Sequence, residues 1–531
     1  MSILHRSYRK PLSRRDFLRY SLASGATAWL ASQGWHAHAQ SSGSLVWVGH
    51  QEVAGLGPND IGPTVQAVVI YNILNPLFHV NHLTELEPIL AESFDVAEDG
   101  LTYTFNLRQG VLFHDGSELT AEDVKYTFDF YSQSGNTIAS RFQGMASVDI
   151  IDTYTVVVNM ESINAAFLTN AGEVPIVPAA YHAEVGEDTF RTQPIGTGAF
   201  SVREWRAAEF TELEAFPEHF RGAPSVQTIR LEVVPEPSVR YISLITGDAQ
   251  SSVWPLLVED SLSFEDDPDF RLVRTLANSV RFIPLNNELP QLSDVRVRRA
   301  MLHALDRQRI IDDLWNGTAV IAHANLSPKN VFFHNPDVPQ YPYDQEAAVA
   351  LLEEAGWTVG ADGIREKDGM RLSFTCTTIT GDQARRPIAE LSQQMLRQVG
   401  IDMQLAEAPI ASILEGLRNG TLEASLFNWT FGSTPEPDPS ATLLSDGGNN
   451  FNRYSNPEMD DLILRGLQTV DLEERRAIYF RIQEIVAEDV PFLYLHFDEW
   501  MNVFSNEVEG LPEEILSGDP VYFRAFEQGR G

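Results

Sequence analysis

Residues 90–130 read LAESFDVAEDGLTYTFNLRQGVLFHDGSELTAEDVKYTFDF. Within this stretch, residues 101–107 alternate strand-forming with polar side chains, the period of a half-buried strand. Thr120, with Asp123 three positions on, predicts a capped helix start at residues 119–124. Further out, residues 45–48 (LVWV) predict a first strand, and residues 55–60 (GLGPND) a loop that ends it. Residues 150–160 predict two strands joined around Asp152-Thr153. Gly196-Thr197-Gly198-Ala199-Phe200 predicts a turn between domains. Residues 296–314 predict one helix, with apolar positions at Val297, Ala300, Met301, Ala304, Leu305 and Ile311. Residues 384–399 and 472–488 predict two more. Helices and strands alternate irregularly, which implies α/β or α+β with more than one sheet. No fixed-period repeat and no low-complexity linker interrupts the chain.

The chain has 531 residues, enough for about three to four domain-sized units. A hydrophobic content of 43% can fill several cores. Asp and Glu number 74 against 38 Lys and Arg, for a net charge of −36. That balance excludes a general nucleic-acid binder, which needs clustered cations. It also excludes an anionic membrane surface as the main partner. The single cysteine, Cys376, excludes an intrachain disulfide framework, a C-x-x-C redox pair and a multi-cysteine zinc site. Lysine occurs only at 10, 125, 329 and 367, so 34 of the 38 basic residues are arginine. Few lysines beside a large acid excess point to a protein whose surface stays hydrated in high salt.

The N-terminus carries an address. Ser13-Arg14-Arg15-Asp16-Phe17-Leu18-Arg19 precedes an apolar, small-residue stretch, and Ala37-His38-Ala39 offers an A-x-A cleavage site. The paired arginines resemble the twin-arginine signal of bacteria. Cleavage after Ala39 would remove six basic residues and one acid, leaving the mature chain at −41. No later run reaches about eighteen apolar residues, the length needed to span a bilayer. A periplasmic protein is the expectation.

Residues 90–130 closely resemble the signature of the extracellular solute-binding proteins of family 5, the dipeptide- and oligopeptide-binding components of ABC importers. Four further blocks agree in family order: residues 196–200, Phe220-Arg221-Gly222-Ala223-Pro224, residues 294–307 (DVRVRRAMLHALDR), and Tyr343-Asp344 with Ala347, Leu351, Leu352, Ala355, Gly356 and Trp357. The resemblance implies a two-lobed periplasmic binding protein fold of α/β class (type II, cluster C), with an extra domain on the first lobe. By similarity, residues 1–39 are the signal peptide. Residues 44–75, 196–280 and 501–531 build lobe 1, residues 76–195 its extra domain, and residues 281–500 lobe 2. The chain would cross between lobes near Arg281 and again near Asp498, giving a hinge.

The resemblance also marks a site. In the dipeptide-binding members an aspartate following a tryptophan grips the ligand's amino group. Here Asn428-Trp429-Thr430-Phe431 is followed by Glu436-Pro437-Asp438-Pro439, so Glu436 and Asp438 fall on the acid positions. The glutamate departs from the family's pattern, and leaves open which acid meets an ammonium. Prolines at 435, 437 and 439 would hold the loop extended. An arginine at the start of a helix holds the ligand carboxylate in those proteins, and Arg385 and Arg386 open the helix at 384–399. A guanidinium fork fits a carboxylate bidentately. Alternatives are a solvated acidic turn for the acids, salt bridges to Glu390 or another acid for the arginines, and a core position for Trp429. His79 and His82 could share a face as metal ligands, but surface histidines are the plainer reading, and no metal or cofactor is expected. No G-x-S-x-G, H-E-x-x-H or G-x-x-x-x-G-K is present, so no enzyme activity is expected. The expected partners are a small-molecule ligand, most simply a short peptide, and an inner-membrane ABC permease complex. A non-peptide solute such as an oligosaccharide is the competing ligand, a secreted hydrolase the remoter competitor. The protein itself should be a monomer.

Overall fold

The computed structural model describes residues 43–61, 64–80, 86–253, 256–382, 384–430 and 437–508. The leader arginines, the Ala37-His38-Ala39 site, His82, Phe431 and Glu436 therefore lie outside the described residues.

Two long strands organise the molecule. Phe270–Pro284 and Phe492–Ser505 pair antiparallel along nearly their whole length. The second, FLYLHFDEWMNVFS, is buried at all but three positions, Glu499, Trp500 and Ser505, as expected of a strand covered on both faces. Together they sit in a mixed sheet whose order runs Phe427–Thr430, Phe270–Pro284, Phe492–Ser505, Ser251–Ser252, Ser44–Gly49, Thr228–Val233, Phe210–Ala215, Phe200–Arg206. At one end of the pair, Val273 and Phe504 pack into the core built on Trp47, Leu213 and Leu231. At the other end, Val280, Phe282, Phe492 and Tyr494 join the core of the helices Pro457–Gln468 and Leu472–Asp489. Ile283, Leu493 and Leu495 face a further core, with the parallel strands Ser373–Ile379 and Asp402–Ala408 and the helix Arg385–Gln398. The α/β, two-lobed expectation holds.

Between the two ends the register slips. Leu276 faces Glu499 and Val280 faces Phe497, so Ala277, Asn278 and Ser279 stand opposite Asp498 alone. Such a bulge bends a strand and locally interrupts its ladder.

The signature stretch folds as its pattern demands. Ala91–Val96 and Thr102–Leu107 form neighbouring strands of a four-stranded antiparallel sheet with Thr155–Met160 and Met145–Asp152. Thr120 caps the helix Ala121–Tyr131: its Oγ1 accepts the Glu122 N–H at 3.3 Å, and Asp123 Oδ2 accepts the Thr120 N–H at 2.8 Å. This sheet shares one continuous core with Leu45 and Trp47, so residues 76–195 are packed onto the first sheet rather than set apart from it. The turn at 196–200 fits closely: a methyl at Gly196 would meet Ile73 O at 2.1 Å, and one at Gly198 would meet Asn72 O at 2.2 Å.

One expectation fails. Residues 296–314 form two helices, Val295–Ala304 and Arg307–Trp315, rather than one. Asp306 caps the second, its Oδ1 accepting the Arg309 N–H at 3.0 Å. Arg307 is buried and spends its guanidinium on the carbonyls of Ala322, Tyr494 and Tyr341. A straight helix would have carried that side chain away from those acceptors.

Candidate functional site

The strand Phe427–Thr430 pairs with the crossing strand at its bulge: Trp429 faces Val280, Asn428 faces Arg281, and Thr430 faces Ser279. Local apolar packing fixes its side chains. Phe427 stands edge-on to Phe451 with centroids 5.7 Å apart, and Trp429 does the same at 6.1 Å. Both rings pack on the small core of Ile413, Leu417 and Phe451. Trp429 is partly buried, so one part of its ring system is in a core and the rest is accessible.

Arg385, the first residue of the helix Arg385–Gln398, reaches this strand. Its Nη2 donates to Asn428 Oδ1, and its guanidinium lies 5.9 Å from the Phe427 ring centre. Its Nη1 donates to Asp382, the ion-pair partner three residues upstream. Asp382 also accepts the backbone N–H groups of Ala384 and Arg385, each at 2.9 Å, and so caps the helix. Burial would raise the Asp382 carboxyl, but the Arg385 backbone N–H and guanidinium outweigh it and hold the carboxyl below its ordinary range. Asn428 in turn donates from Nδ2 to Ser279 Oγ at 3.3 Å. A polar chain thus runs Asp382–Arg385–Asn428–Ser279, from a helix start to the bulge.

Arg386 points elsewhere. It is 62% exposed at the side chain and pairs with Glu390 and Glu407, both at 2.9 Å. Neighbouring arginines on a helix sit about 100° apart, so they cannot serve one small site together. Asp438 is exposed; its carboxylate accepts from Ser440 N–H at 2.8 Å and Ser440 Oγ–H at 3.0 Å, at the start of the helix turn Ser440–Leu443. Pro437 and Pro439 on either side are buried. Asp438 makes no ion pair among the described residues.

Sequence reasoning missed two parts of this arrangement. Asp382 stands at the cap spacing from the helix, a signal that was there to be read. The second part is the cluster beside Asn428, where Arg281 Nη2 reaches Asp498 Oδ2 at 2.8 Å and its Nε donates to both carboxylate oxygens at 3.0 Å. His496, fully buried, lies edge-on to Trp315 at 4.4 Å; its Nε2 is 3.2 Å from Asp498 Oδ1, at an angle poor for a hydrogen bond. Burial would raise the Asp498 carboxyl, but Arg281 wins and lowers it. Burial lowers the His496 imidazole. The two places where the chain was expected to change lobes are thus joined by a buried ion pair.

His79 is corrected too. It is not a surface residue: 4% exposed, it stands 3.5 Å from Glu173 and edge-on to Tyr71. Among the described residues no group of three or more His, Cys, Asp and Glu could hold a metal ion, and no helix is long and apolar enough to cross a membrane.

The chain is 29% identical over 445 residues to the oligopeptide-binding protein AppA of Bacillus subtilis (strain 168), covering 79% of this chain and 80% of that protein. The structure of that AppA in complex with a nonapeptide superposes with a TM-score of 0.74 over 91% of this chain and 98% of its own, at 26% identity. The glutathione-binding protein GsiB of Pectobacterium atrosepticum is 28% identical over 523 residues, 94% of this chain and 97% of that one. NikA from Brucella suis in complex with Fe(III)-EDTA superposes at a TM-score of 0.80, with 25% identity over 90% of this chain and 99% of its own. Residues 85–452 match the model of the bacterial extracellular solute-binding proteins, family 5 Middle, and the chain belongs to that family.

Proposed function

We propose that this protein is the exported solute-binding component of an ABC importer, that it captures short peptides between two lobes, and that it passes them to a membrane permease. The observation that carries this reading is the pair of strands, Phe270–Pro284 and Phe492–Ser505, which link separate cores and slip register at Ala277-Asn278-Ser279 and again at Leu495, with the candidate ligand residues beside these slips. Lobe 1 comprises residues 44–75, 196–280 and 501–531, with 76–195 packed on it, and lobe 2 comprises 281–500. The hinge is the bulge at Ala277-Asn278-Ser279, which can absorb a change in backbone angle without breaking the flanking ladder. The twin-arginine leader would export the chain, and Ala39 would end it. The protein works as a monomer and catalyses no reaction.

A peptide brings an ammonium and a carboxylate out of water together, and each needs a counter-charge. Asp438, exposed and without a cation among the described residues, suits the ammonium; Glu436 is the neighbouring candidate. Arg385 suits the carboxylate, with Asn428 orienting its guanidinium and Trp429 offering a ring to the ligand's side chains. Arg386 is committed to two glutamates and drops from the first rank of contacts. Asp382 already offsets the Arg385 charge, so a ligand carboxylate must share or displace it. Relatives named for an oligopeptide and for glutathione support the peptide reading.

Mass spectrometry of ligand carried through purification, followed by calorimetry on stripped protein with peptides of two to nine residues, tests this. Asp438→Ala and Arg385→Ala should each weaken peptide binding by about 30-fold or more, the typical loss on truncating one partner of a desolvated pair. Unchanged affinity in both variants would replace the peptide with a neutral solute.

A further inference from the structure

The chain closes on itself at a second place, far in sequence from the crossing strands. The turn between Ala91–Val96 and Thr102–Leu107 ends in Gly100, at φ +69°. Residues 97–99 are exposed, as a hairpin tip should be, yet Gly100 is buried. Val470 and Ile163 lie over it: a methyl placed on Gly100 would meet Val470 Cγ2 at 2.6 Å and Ile163 Cγ1 at 3.5 Å. Beside this contact the Ala165 N–H donates to the Leu467 carbonyl at 2.9 Å. Gly100 and Ala165 lie in turns next to the strands that share the Trp47 core; Leu467 lies in the helix Pro457–Gln468, packed on the Tyr479 core, and Val470 in the turn that follows it.

Both halves of the contact are braced. On one side Asn164 Nδ2 donates to Gln143 O at 2.8 Å, and its Oδ1 accepts the Ala166 N–H at 3.1 Å. On the other, Arg475, 5% exposed, donates from Nη1 to Thr469 O at 2.8 Å and fixes the turn between the two helices. Val470 itself remains 39% exposed, and nearby Leu472 is 54% exposed. A valine half-uncovered against a buried glycine is a contact that can be made and unmade at small cost.

We propose that the Gly100 tip and the Val470 turn form a clasp between the lobes, made only when they are closed, which holds a fraction of ligand-free molecules shut. This inference rests on the hinge at the bulge, not on the ligand's being a peptide. A ligand that binds the closed form then finds part of the protein already arranged, and its apparent affinity scales with that fraction. One solvent-accessible hydrogen bond and one apolar contact shift such an equilibrium by about fivefold.

The test needs no ligand. Cys376 is fully buried, so a spin-label pair can be placed through Ile151→Cys, 63% exposed, and Val331→Cys, 70% exposed. Pulsed distance measurements on ligand-stripped protein should show two populations. Val470→Asp, which opposes an acid to the tip from an accessible position, should lower the ratio of short to long distances about fivefold. Leu472→Asp, two residues away, should leave it unchanged. A single population in the parent protein overturns the clasp: if short, the contact is a fixed seam; if long, it holds nothing without ligand. Equal ratios in the parent and in Val470→Asp overturn it as well, whatever peptide-binding calorimetry gives.

Discussion

Arg281 with Asp498, and Arg386 with Glu390, are the same chemical pair in two settings. The first has side chains 16% and 12% exposed, joins residues more than two hundred positions apart, and has an aromatic ring and a buried imidazole against it. The second lies on one helix, four residues apart, at 62% and 47% exposed. Water screens the second and leaves it worth little. The first has lost its water, so each member depends on the other. In a chain of net charge −36 most ion pairs among the described residues resemble the second kind.

The sharpest way to break the comparison is Asp498→Ala. It leaves the Arg281 guanidinium buried without its carboxylate, and should cost about 3–5 kcal/mol of unfolding free energy, read from chemical denaturation. The double variant Arg281→Met with Asp498→Leu should recover much of that, because the charge and its partner leave together. A loss below about 1 kcal/mol in Asp498→Ala would mean that the pair is as screened as any on the surface.

Much of this contrast was invisible in the sequence, for a physical reason. The capped helix at Thr120, the strand pair at 150–160 and the long helix at Leu472–Asp489 were legible because their signals are local: a cap spacing, a period of two, a period of 3.6. The break at Asp306 was also local, but the apolar periodicity running through it hid the cap. The crossings near Arg281 and Asp498 came from family resemblance alone; nothing in either segment announces a partner so distant. His79 was misjudged for the same reason, since its burial depends on Tyr71 and Glu173 from other elements. At the site, residue types were legible and allegiance was not. Arg385 and Arg386 are equivalent on paper, and only the fold turns one toward Asn428 and the other toward Glu390 and Glu407.

Burial also sorts the histidines, and this predicts an effect of intermediate size. His114 bonds through Nε2 to Gly198 O at 2.9 Å, stands edge-on to Phe216, and lies near Asp115 and His219. Burial pushes it down from the ordinary 6.5 to about 4. The unfolded chain therefore takes up a proton at this site as pH falls below 6.5, while the folded chain refuses it until about 4. Stability is intact above 6.5 and declines through that window, by about 1.4 kcal/mol per pH unit for this group. His219, pushed to about 3, acts in the same direction. His114→Gln should make urea midpoints less sensitive to pH between 6.5 and 4 than those of the parent. An unaltered slope would show that His114 is hydrated enough to titrate normally.

The smallest effect belongs to Arg386. Its two carboxylate partners raise the guanidinium's affinity for its proton, Glu390 first through a hydrogen bond. That shift is no measure of stability, because the group is solvated and the pairs are screened. Arg386→Ala should therefore barely change the unfolding free energy and leave ligand affinity unaltered. The size of that change should depend on salt. At low ionic strength, where the Debye length reaches about 30 Å, removing a cation from a strongly acidic chain exposes Glu390 and Glu407 to the remaining acids, and the variant should be slightly less stable. Near 1 M salt, with a Debye length of about 3 Å, that repulsion is gone and parent and variant should melt together. The parent's own melting temperature should climb over the same range, because self-repulsion in the whole acidic surface relaxes. A difference between parent and variant that persists at 1 M salt would place Arg386 among the held charges, beside Arg281, and would restore it as a candidate for the ligand.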